Sequence, residues 1–81
     1  MSGEVSKIER MRNLMYKPLQ LDVLKELCKG FAIAVRKTDA TDGKYTMMEF
    51  IELEDEQLVL WEEHMLNKLS ISNYLEVYEC R

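Results

Sequence analysis

Between residues 4 and 16 the apolar positions fall at Val5, Ile8, Met11 and Met15, with Arg12 and Tyr16 flanking the stripe. That spacing predicts a helix over 4–16. Pro18 ends it, because proline has no N–H to donate and its ring clashes with the preceding turn. The same residue suits the first turn of a second helix, predicted over 18–29. There Leu21, Leu24, Leu27, Cys28 and then Phe31 share one face, opposite Asp22, Lys25, Glu26 and Lys29. Gly30 stands where a helix end favours a left-handed residue.

The period then changes. Phe31, Ile33 and Val35 alternate with smaller or charged residues, and 38–43 reads Thr-Asp-Ala-Thr-Asp-Gly. Asp-Gly between two apolar runs predicts a hairpin over 31–53 with its turn in 38–43. The second strand is apolar on both sides, with Met47 and Ile51 against Met48 and Phe50. This suits a central position, or a sheet covered on both faces. The same residues also fit helices, since Leu24, Cys28, Phe31 and Val35 would line one long stripe and Met47, Met48 and Ile51 another. Residues 55–70 predict a helix that Asp55 can cap, with acids at its start favoured by the helix dipole. Its apolar arc is Leu58, Val59, Trp61, Met65, Leu66 and Leu69, which places Trp61 in the core. Residues 73–80 alternate and predict a last strand.

The sum is an α+β fold: one small α-α-β-β-α-β domain, residues 1–81, with a three-stranded sheet and helices on one face. If the last strand lies beside the second, the helix between them makes a right-handed parallel crossover. The alternative is an all-α six-helix bundle.

Composition narrows the class. Of 81 residues, 47% are apolar, enough for a packed domain and too many for wholesale disorder. No apolar run reaches the length of a membrane span, and the first residues lack the apolar core of a signal peptide. The expectation is an intracellular, cytoplasmic protein with no membrane partner. Cys28 and Cys80 form no CxxC pair, so free thiols are expected, a single bridge between them staying open and Cys80 expected at the surface. The net charge of −4 is unevenly spread. Residues 1–45 hold nine basic against six acidic side chains, and 46–81 hold two against nine. The resulting +3 and −7 halves suit packing against a charged partner or a second copy.

Candidate chemistry is sparse. His64 is the single histidine and falls outside the apolar arc, so no zinc site is expected. No serine is readable beside a base, and Gly3, Gly30 and Gly43 form no phosphate loop. No enzymatic activity, cofactor or metal is therefore expected. Glu62 falls by phase inside the apolar arc, or at its solvent-facing edge. If buried it needs a partner, for which Arg12 is a candidate. Glu62 and its neighbour Glu63 point apart on a helix.

Arg36, Lys37 and Lys44 flank the predicted turn. A helix, a hairpin with basic flanks and another helix, over roughly 19–69, resembles the second half of a winged-helix domain. That resemblance implies nucleic-acid binding through 36–44, although Asp39 and Asp42 cancel much of the charge phosphate contacts require. Leu21-Asp-Val-Leu-Lys-Glu-Leu-Cys28 with the apolar run at 45–53 resembles a death effector domain, which implies a helical assembly module. The Arg-x-Asp-Leu signature of that family is replaced here by Ser72-Asn-Tyr-Leu75. The function expected first is a non-catalytic, regulatory protein–protein interaction module, binding another protein or itself as a homodimer. Its expected contact residues are Arg36, Lys37, Lys44, Leu60, Glu62 and Glu63. Nucleic acid is the second expectation.

Overall fold

A computed structural model describes residues 6–37, 43–71 and 75–81. The elements run α1 (Lys7–Leu14), β1 (Pro18–Gln20), α2 (Leu21–Leu27), β2 (Phe31–Lys37), β3 (Lys44–Glu52), α3 (Leu58–Ile71) and β4 (Leu75–Cys80). The fold is α+β, as the sequence implies, and the all-helical alternative fails because 31–52 is a hairpin. Of the predicted turn at 38–43, residues 38–42 lie outside the described residues, as do the predicted ends at 4–5 and 73–74.

The sheet has four strands in the order β1-β3-β2-β4, every neighbouring pair antiparallel. The additional strand comes from Pro18–Gln20, expected to open a helix. It pairs with Lys44–Thr46 of β3 at the sheet edge, where a proline costs no ladder bond. Tyr16 supplies a donor that Pro18 lacks: its N–H bonds to the Met47 carbonyl at 3.0 Å. Helix α2 then starts at Leu21, buries Leu24 and Cys28, and leaves Leu27 largely exposed rather than on the apolar face. Gly30 ends this segment at φ +93°, the left-handed backbone expected of it.

The sheet is covered on both sides, not one. Phe31, Ile33, Val35 and Met47 join Met11, Leu24, Cys28 and Cys80 in a single core under α1 and α2. Ala32 and Ala34 point the other way, towards α3, whose Met65 is buried. Topology gives the reason. β1-α2-β2 and β3-α3-β4 are two crossovers between parallel strands, each skipping one antiparallel strand. They step the same way across the sheet along strands of opposite direction. A common right-handed sense therefore puts their helices on opposite faces. The last strand accordingly lies beside β2 and not beside β3.

The two-sided apolar character of β3 also comes from a bulge. The register jumps from Ala34–Glu49 to Val35–Met47, leaving Met48 as the extra residue. An inserted residue inverts the alternation beyond it. Met47 and Phe50 therefore both face α1 and α2, Phe50 meeting Phe31 edge-on at 5.8 Å and 81°.

Local chemistry sets the helix starts. Ser6 accepts from the Glu9 N–H at 3.1 Å, the N-cap half of a Ser-x-x-Glu box. Asp55 accepts from the Gln57 N–H at 2.7 Å and so forms the turn that leads into α3. Trp61 is half-buried, and Met65 holds the covered position on that helix. Val59 and Leu66, expected in the arc, are 64% and 56% exposed.

Truncation should follow this burial. Ile33→Ala is expected to cost about 2–5 kcal/mol and Leu60→Ala no more than about 0.5 kcal/mol, with Trp61→Ala between them. Urea unfolding followed by circular dichroism measures all three.

Candidate interaction surfaces

The six side chains singled out by sequence do not form one site. Arg36 and Lys37 end β2, and Lys44 begins β3, so these three meet at the hairpin end of the sheet. Leu60, Glu62 and Glu63 ride on α3 near its start, at the other end. The hairpin strands are the two interior strands of the sheet, not a projecting wing. Leu60, Glu63 and His64 face solvent.

Glu62 is half-buried against β4, and its partner is Glu79 rather than Arg12. Arg12 is exposed on α1, across the sheet. The Glu62 carboxyl hydrogen-bonds to Glu79, which together with partial burial raises its pKa. The same bond, with Arg81 closing on Glu79, lowers that of Glu79. When the pair holds a proton, these opposite shifts favour Glu62 as the donor and the Glu79 carboxylate as the acceptor. Glu62 and Glu79 are 17 positions apart, on a helix and a strand, and no local pattern announces the contact, because it depends on which strand α3 lies over.

On the same face, a cleft of about 780 Å³ lies between α3 and the hairpin end of the sheet. Met15, Tyr16, Met48, Met65 and Leu75 form its apolar walls, and Arg36 and the Lys68–Glu49 ion pair (3.0 Å) its polar rim. Tyr16 stands at the lip with φ +65° and is 64% exposed. A tyrosine in the left-handed region is strained, and the aromatic ring gains little burial there.

The remaining surface is the outer side of β4. Cys80 directs its carbonyl inward, accepting from the Gly30 N–H at 2.7 Å. Strand alternation then turns the backbone groups of Glu76 and Tyr78 inward too, and those of Leu75, Val77 and Glu79 outward. Among the described residues, no strand pairs beyond β4. Glu62 reaches β4 and Lys68 reaches β3, which fixes the rotation of α3. The flank past Glu62 carries Val59 and Leu66, so these exposed side chains overhang the open edge. On the opposite face Tyr78 bonds to Glu76, and the Lys25 ammonium sits 4.3 Å above the Tyr78 ring. The bond to Glu76, with burial, pushes the Tyr78 hydroxyl up to about 12.

Both cysteines are free and buried, Cys80 included, which corrects its expected exposure. Burial, reinforced by the neighbouring Cys80, pushes the Cys28 thiol up to about 12. Among the described residues no three His, Cys, Asp or Glu side chains cluster closely enough to hold a metal, and no helix is long and apolar enough to cross a membrane. Comparison with protein families, with curated proteins and with solved structures finds no match to this chain.

Two measurements test these local readings. Tyr16→Gly removes a left-handed penalty of about 1–2 kcal/mol. It should therefore leave the domain at least as stable in urea unfolding despite losing a whole side chain. For Glu62, a raised folded pKa means its contribution is full at low pH and fades as pH rises through that pKa; the lowered Glu79 behaves in reverse. Glu62→Gln keeps a neutral donor to Glu79 at every pH. Its melting temperature should equal or exceed that of the parent near about pH 7, with the gap closing towards about pH 4.

Proposed function

We propose that this domain is a non-catalytic protein-interaction module whose contact surface is the open edge of β4 with the adjoining flank of α3. The observation that carries this reading is the contrast between the two sheet edges. β1 is three residues long and starts with Pro18, the kind of edge that resists pairing. β4 is six residues long, contains no proline or bulge, and lies beside Val59 and Leu66. An edge of this kind recognises an extended strand through main-chain hydrogen bonds, and the apolar flank adds side-chain contact. The cleft beside Tyr16 offers apolar contact and a cation but no paired nucleophile and base, which also favours binding over catalysis. Glu62 lies on this surface and Glu63 near it; Leu60 points to solvent on the far side of α3, and Arg36, Lys37 and Lys44 lie away from it.

Hydrogen exchange in dilute protein tests the surface itself. The amides of Val77 and Glu79 are expected to exchange much faster than those of Tyr78 and Cys80. Equal protection of all four at high dilution would show the edge to be covered within a single chain, and the reading would lose its surface.

A further inference from the structure

We infer that the occupant of this edge is a second copy of the same chain, joined by antiparallel β4–β4 pairing about a two-fold axis at Val77. The inference rests on the interaction reading above and names its partner. A two-fold perpendicular to the sheet keeps each face continuous, so the pairing preserves the covered sides. The outward backbone groups of Leu75, Val77 and Glu79 restrict the registers to those in which these residues oppose one another.

Side-chain charge then selects among the registers. Centring the axis on Glu76 or on Glu79 sets that carboxylate against its own copy, and like charges directly opposite oppose pairing. Centring it on Val77 sets Val77 against Val77 and Leu75 against Glu79 of the second copy. It also sets Tyr78 against Glu76 of the second copy. Lys25 already sits over the Tyr78 ring, so each Lys25 faces a carboxylate of the other chain, and the pair occurs twice. A register centred on Tyr78 also avoids the clash, but it opposes Glu76 to the buried thiol of Cys80 rather than to the Tyr78 ring that Lys25 covers. On the other face the same axis sets the two α3 helices side by side, each covering the Val59 and Leu66 that its own chain leaves in water. One operation therefore satisfies the open ladder, the exposed apolar flank and the charges at once.

Sedimentation equilibrium across micromolar concentrations should show a monomer–dimer equilibrium. Val59→Glu/Leu66→Glu, at exposed positions, should raise the dissociation constant about tenfold or more while the circular dichroism spectrum is unchanged. Lys25→Glu should also weaken the dimer, and Lys25→Glu/Glu76→Lys should recover it. Under mild oxidation Val77→Cys should cross-link to a dimer on a denaturing gel and Tyr78→Cys should not. Cross-linking at Tyr78→Cys but not at Val77→Cys would overturn the register. A chain that stays monomeric while its Val77 and Glu79 amides exchange freely would overturn the second copy as occupant and leave the interaction reading standing.

Discussion

β2 buries five consecutive residues, Phe31 to Val35, so both of its faces need a cover and both of its edges need a partner. No single helical layer can meet that demand. The strand solves it asymmetrically. Its large side chains, Phe31, Ile33 and Val35, enter the core shared with α1 and α2. Its alanines, Ala32 and Ala34, leave room for α3 to approach the backbone. The alternation of large and small along five residues thus assigns a thick apolar layer to one side and a close-packed helix to the other. The two crossovers of common sense are the chain path that delivers a helix to each.

Much of this was legible in the chain. The hairpin, the late helix and the last strand follow from alternation and spacing, and Gly30 follows from its place after an amphipathic run. What escaped depends on contacts between distant segments. Three residues at Pro18–Gln20 form a strand because β3 offers them an edge, and their own pattern is too short to show a period. The bulge at Met48 disguised one face of β3 as two. On α3 the helix period predicts a wider apolar arc than is covered: Val59 and Leu66 match it, but the narrow strip over Ala32 and Ala34 accommodates only part of it.

The candidate surfaces were less legible than the fold for the same reason. The basic residues Arg36, Lys37 and Lys44 flank one predicted turn in the sequence and share the hairpin end of the sheet in space. Glu62 was conspicuous by its phase, yet its partner Glu79 is visible only once β4 is placed beneath α3. The open edge itself has no residue signature. Leu75, Val77 and Glu79 look like any strand, and only the strand order shows that their backbone groups lack a neighbour. The interaction proposed for this edge uses the parts of the molecule that its own core does not need.

The buried thiols have a consequence for anyone handling the protein. Cys28 lies at the end of α2, and Cys80 pairs with Phe31 on the outermost strand. With its pKa near 12, Cys28 is thiolate in only roughly one molecule in 10⁵ at neutral pH. Alkylating reagents attack the thiolate and need direct access to sulfur. Because both sulfurs lie in the core under α1 and α2, departure of α2 exposes the two together, whereas peeling of β4 from β2 carries Cys80 alone into solvent. The ratio of the two labelling rates is a built-in stopwatch for which layer of the domain comes away first.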